Sequence, residues 1–108
     1  LVEKGCLQYK VEEFTDEAVV KISGWALNRK TLRAGTLNIV LTGQDKQQYI
    51  VKSERLYRPD VRDAFGKRRL AFAGFEAAFI KQNLPKQHYE VSLVLDGDAR
   101  MVGSIVVA

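Results

Sequence analysis

His88-Tyr89-Glu90-Val91-Ser92-Leu93-Val94-Leu95-Asp96-Gly97 is the stretch that decides the fold of this chain. Tyr89, Val91, Leu93 and Leu95 share one parity, and Glu90, Ser92 and Val94 share the other. Side chains alternate across a strand, so the pattern predicts a strand with one buried face. Asp96-Gly97 is a strong hairpin signal, because both residues accept the positive φ of a tight two-residue turn. A partner strand is therefore expected over residues 100–107.

The same alternation recurs on the N-terminal side. Leu7, Tyr9 and Val11 alternate with Gln8, Lys10 and Glu12, and Thr15-Asp16-Glu17 supplies turn chemistry. Residues 18–27 place Val20, Ile22, Gly24 and Ala26 on one parity and Val19, Lys21, Ser23 and Trp25 on the other. After a polar loop over 28–35, residues 36–42 and 48–56 form two runs joined by the turn-like Gly43-Gln44-Asp45-Lys46. Pro59 ends any strand, and residues 60–65 predict a short helical turn with Asp60 as N-cap and Gly66 as stop. Residues 71–80 resume as a strand, and Asn83-Leu84-Pro85-Lys86 turns the chain into the stretch quoted first. The expectation is an all-β, immunoglobulin-like antiparallel sandwich of about seven strands with one short helical turn.

At 108 residues the chain has the length of one such sandwich, so a single domain over residues 1–108 is expected. Its 46% hydrophobic and 28% charged content is that of a globular domain, which argues against disorder. The chain opens on Leu1 and closes on the apolar Ile105-Val106-Val107-Ala108, which suggests a piece of a larger protein. Cys6 is the only cysteine, so no internal disulfide forms; this favours a reducing compartment, with Cys6 as a small apolar residue of the first strand.

The formal net charge is +4. Residues 52–69 hold Lys52, Arg55, Arg58, Arg62, Lys67, Arg68 and Arg69 against Glu54, Asp60 and Asp63, a surplus equal to that of the whole chain. A concentrated basic stretch attracts phosphates, anionic glycans or lipid headgroups, though most charge runs are solvated faces. Arg55, Arg58, Arg62, Lys67, Arg68 and Arg69 are the candidate ligands of an anion.

Signatures of catalysis and of cofactors are not found. One histidine, His88, and one cysteine fall short of the three or four ligands a zinc site needs, so His88 is read as a surface or edge residue. Ser23, Ser53, Ser92 and Ser104 lie in expected strands without a nucleophile elbow, and the glycines form no phosphate-binding loop. No catalytic, metal or cofactor residue is assigned. Trp25, the only tryptophan, is expected to be a core or half-buried anchor.

Three segments in order carry a resemblance: Ile22-Ser23-Gly24-Trp25-Ala26, then Arg58-Pro59-Asp60-Val61 with Phe65 four residues on, then Ala73-Gly74-Phe75. Together they are similar to a small β-sandwich module attached to bacterial cell-surface polysaccharide glycosyltransferases and to the glycerophosphotransferases of teichoic-acid biosynthesis. Pro85 to Val94 resembles that family's last turn and strand, except that Lys86 or Gln87 replaces a usual glycine. The resemblance implies a noncatalytic accessory domain of a cell-wall polymer transferase, cytoplasmic and peripheral to the inner face of the membrane. Its partners would be the remainder of the parent transferase and an anionic polymer or membrane surface.

The shared residues also have a physical reading as a structural motif of Trp25, Pro59, Asp60, Phe65, Gly74 and Phe75. Pro59 fixes its own backbone and keeps Arg58 extended, Val61 and Phe65 share one helical face, and Gly74 admits a close neighbour. Arg58 is expected to pair with a carboxylate or with backbone carbonyls. The alternative function is a stand-alone carbohydrate-binding or anionic-polymer-binding module. Nucleic acid is disfavoured because Tyr57 and Phe65 interleave thinly with the charges. The oligomeric state is left open.

Overall fold

The computed structural model describes residues 5–108. Leu1, one of the chain ends that suggest an excised piece, lies outside the described residues, as do residues 2–4. The chain forms two four-stranded antiparallel sheets. The strands are β1 (Leu7–Asp16), β2 (Val19–Asn28), β3 (Leu37–Gly43), β4 (Gln48–Lys52), β5 (Glu54–Leu56), β6 (Gly74–Ile80), β7 (His88–Leu95) and β8 (Asp98–Val106). One sheet has the order β1-β2-β6-β5 and the other β4-β3-β7-β8. This is the strand order of an immunoglobulin-like sandwich with one extra strand beside β3. A helix α1 (Pro59–Phe65) and a 3-10 turn at Arg68–Leu70 lie between β5 and β6.

The alternating parities meet in the core between the sheets. Val20, Ile22 and Ala26 of β2 and Phe75 and Ala77 of β6 face Leu37, Ile39 and Leu41 of β3 and Tyr89, Val91, Leu93 and Leu95 of β7. Tyr89 does more than fill space. Its ring meets Tyr49 edge-on at 5.9 Å, and its hydroxyl donates to the Pro85 carbonyl at 2.6 Å. That bond pins the turn entering β7, as the tyrosine corner does in immunoglobulin-like sandwiches. At the other end of β7, Asp96 (φ 49°) and Gly97 (φ 86°) make the hairpin with both residues left-handed, pairing Leu95 with Asp98.

Several expectations change. Residues 48–56 are two strands, so there are eight rather than seven. The chain leaves β4 at Ser53, whose hydroxyl donates to the Leu37 carbonyl at 3.2 Å, and crosses to pair β5 with β6 in the other sheet. Residues 71–80 are strand only from Gly74, because the 3-10 turn first buries Leu70. The last strand starts earlier than expected, at Asp98, because the two-residue hairpin ends there. Asp60 is not the N-cap of α1. Arg58 occupies that position without a side-chain cap, Pro59 starts the helix, and Asp60 sits within the first turn. Gly66 ends the helix as expected, at φ 66°.

β1 also runs past Glu12 to Asp16 because of a bulge. Val11 pairs with Gly24 and Glu13 with Ser23, which leaves Glu12 as the extra residue. The bulge shifts the parity by one and turns Phe14 back onto the core. Gly24 makes the crossing tight: a Cβ there would lie 2.0 Å from the Lys10 carbonyl oxygen.

Candidate functional site

The segment from Leu56 to Gly74 folds back over the outer side of the first sheet. The amide of Arg58 donates to the Ala71 carbonyl at 2.6 Å, so the segment leaves and rejoins the sheet at one place. Beneath it lies a second apolar cluster of Leu27, Val61, Leu70 and Ala73, with Trp25 and Phe65 packed against it. Trp25 is half-buried and meets Phe65 edge-on at 6.0 Å. Trp25 has the opposite strand parity to Ile22 and Ala26, so it anchors this outer cluster rather than the core between the sheets.

Arg58 clasps the segment to the first sheet. Its guanidinium donates to Glu12 at 2.5 and 3.1 Å and to Asp60 at 2.9 and 2.8 Å. β1 and β5 are the two edges of that sheet, so the ion pair links the bulge on one edge to the helix that follows the other. Gly74 makes room for it: a Cβ there would lie 2.5 Å from Arg58 Cγ and 2.8 Å from the Leu56 carbonyl oxygen. The Arg58 hydrogen bonds hold the Glu12 carboxyl below its usual range and that of Asp60 down to about 2. Paired with two carboxylates, the Arg58 guanidinium is in turn held above its usual value.

Arg55 is spent internally as well. Its Nη1 donates to the carbonyls of Ala26 and Ala73 at 3.1 and 3.0 Å, and its Nη2 to those of Ala34 and Gly35. Burial lowers its pKa, opposed by the charge of Asp96. Asp96 in turn accepts from Asn28 Nδ2 at 2.9 Å and from the Thr36 amide at 3.2 Å. Asn28, a buried polar residue, accepts the amides of Lys30 and Thr31. Sequence reasoning missed this network; the polar stretch 28–35, whose first residue Asn28 is the end of β2 rather than loop, shows polarity but not which backbone groups it gathers.

The six candidate cations thus divide. Arg55 and Arg58 hold the fold, and Arg69 Nε donates to the Leu32 carbonyl at 3.1 Å. Arg62 pairs with Asp63 at 3.0 Å and donates to the Tyr57 hydroxyl at 3.1 Å. Lys67 and Arg68 are exposed, and among the described residues neither side chain has a hydrogen bond or ion pair. Arg62, Asp63, Gly66, Lys67, Arg68 and Ala71 line one open depression. A further recess beside Lys46, His88, Glu90 and Met101 offers one exposed histidine and opposed charges rather than a convergent set.

Among the described residues no group of three or more His, Cys, Asp or Glu is placed to hold a metal ion, and no helix is long and apolar enough to cross a membrane. Comparison with known proteins finds no family model, no curated relative and no solved structure that matches the chain.

Proposed function

We propose that this domain is a noncatalytic accessory module whose helical segment presents a cationic surface to an anionic polymer. The observation that carries the reading is the uncommitted pair Lys67 and Arg68, held beside Arg62 on a segment that is itself locked down by Arg58 and the Trp25–Phe65 contact. Because the backbone that carries the two cations is already fixed, binding has only their side chains left to order. The host suggested by the sequence resemblance is a bacterial cell-wall polymer transferase, working at the inner face of the membrane on teichoic acid or surface polysaccharide. In that setting the module positions the polymer for the catalytic domain.

The test is an NMR titration with short glycerol-phosphate oligomers at low and moderate salt. Saturable shifts centred on Arg62, Lys67 and Arg68, weakening with salt and lost in Lys67→Ala/Arg68→Ala, are expected. Absence of shifts at low salt would overturn the reading. It would favour a second one, a scaffold docked on the rest of its own protein. That alternative rests on the outer face of the second sheet, where Ile50, Val40, Ser92 and Met101 lie in one cross-strand row. Ile50 is 68% and Met101 60% exposed, apolar residues where a solvated sheet face would carry polar ones.

A further inference from the structure

Tyr57 and Phe72 flank the helical segment at its root, one entering it and one leaving. They are 53% and 57% exposed, yet their rings are in contact, with centroids 5.6 Å apart and planes tilted by 53°. The Arg58–Ala71 backbone bond between their neighbours fixes both. Two large aromatic side chains held against each other in solvent leave apolar area uncovered that folding has not used. Arg62 links this apolar pair to the cationic depression. Arg62 lies over the Tyr57 ring at 5.8 Å from its centroid and lines the depression with Lys67 and Arg68.

We infer that the ligand is an anionic glycan, docked with a sugar ring against Phe72 and the edge of Tyr57 and with its phosphate or carboxylate on Lys67 and Arg68. The inference rests on the proposed function and narrows its ligand class. The cations demand an anion, and the rings demand an apolar face. A pyranose supplies that face through its C–H groups, with hydroxyls around its rim for the Tyr57 hydroxyl and the exposed Asp63 carboxylate. A sugarless polyol phosphate would leave the aromatic pair unused. Single-stranded nucleic acid stacks successive bases along a cationic groove. Here the rings are mutually tilted and Arg62 already covers Tyr57, which leaves a surface the size of one ring.

The experiment compares glycerol-phosphate oligomers with phosphodiester-linked hexose oligomers of equal charge, by NMR titration of the intact domain. The sugar-bearing ligand is expected to bind about fivefold to tenfold more tightly, the size of one added aromatic contact, with shifts at the Tyr57 and Phe72 rings. Phe72→Ala and Tyr57→Phe/Phe72→Ala should erase that preference while leaving the glycerol-phosphate affinity and the dispersed spectrum intact. Lys67→Ala/Arg68→Ala should weaken both ligands alike. Equal affinity for the two ligands would overturn the inference and leave the proposed function standing. Binding of neither would overturn both. Tighter binding of oligothymidylate or of phosphatidylglycerol vesicles than of the glycan would also overturn the inference.

Discussion

Replacing Arg55 tests whether its charge is spent on the fold. Its guanidinium reaches carbonyls in three segments: Ala26 near the end of β2, Ala34 and Gly35 before β3, and Ala73 before β6. Methionine retains the apolar stem and removes every donor. Three well-formed bonds at a net ~1 kcal/mol each give a loss of about 3 kcal/mol. Charge assistance would raise that figure. The cost of burying the guanidinium lowers it, as does Nε, which has no acceptor among the described residues. At roughly 4 °C per kcal/mol for a domain of this size, Arg55→Met should melt about 12 °C below the parent. Arg55→Lys is the sharper variant. An ammonium retains the charge but cannot fork to separate segments, so about 2 kcal/mol should still be lost. Urea denaturation followed by far-UV circular dichroism would read both, with the m-value unchanged. A lysine variant within about 0.5 kcal/mol of the parent, the range of ordinary surface changes, would refute the reasoning.

Trp25→Ala should cost about 2 kcal/mol, below the ~3 to 5 of a fully enclosed aromatic, because Trp25 packs only against the outer cluster; an unchanged melting temperature would remove it as the anchor of α1. The Arg58 clasp should make stability pH-dependent. The Glu12 carboxyl is lowered from 4.5, and that of Asp60 from 3.8 to about 2. Their contribution is therefore complete above pH 4.5 and is lost as the pH falls from there towards 2. Arg58→Gln should flatten that acid slope in melting curves, and equal slopes in the two proteins would show that the clasp contributes nothing.

The strand alternation made most of the fold legible. In 88–97 the parity and the turn dipeptide are those of the structure, while the partner strand begins two residues earlier than expected, at Asp98, and carries a bulge at Val102. Local rules also found Gly66 as the helix stop and the small residue needed at Gly74. They failed where an interruption leaves the alternation unbroken. Nothing in 48–56 marks Ser53 as the crossing between sheets, because Val51 and Arg55 continue one parity on either side of it. The bulge at Glu12 was hidden for a related reason, since one extra residue changes parity only in relation to a partner strand.

By itself, then, the sequence determined the sandwich, its main strands, and the concentration of positive charge in 52–69, because these depend on local periodicity and composition. Which of those charges are available is a property of the tertiary structure alone. Arg55 and Arg58 are as basic as Lys67 and Arg68, yet distant carbonyls surround Arg55, and Glu12 from β1 together with the neighbouring Asp60 engages Arg58, while Lys67 and Arg68 are left in solvent. The Tyr57–Phe72 contact is likewise a tertiary fact. Fifteen positions apart in sequence, the two rings meet because Arg58 and Ala71 hydrogen-bond and close the segment between them.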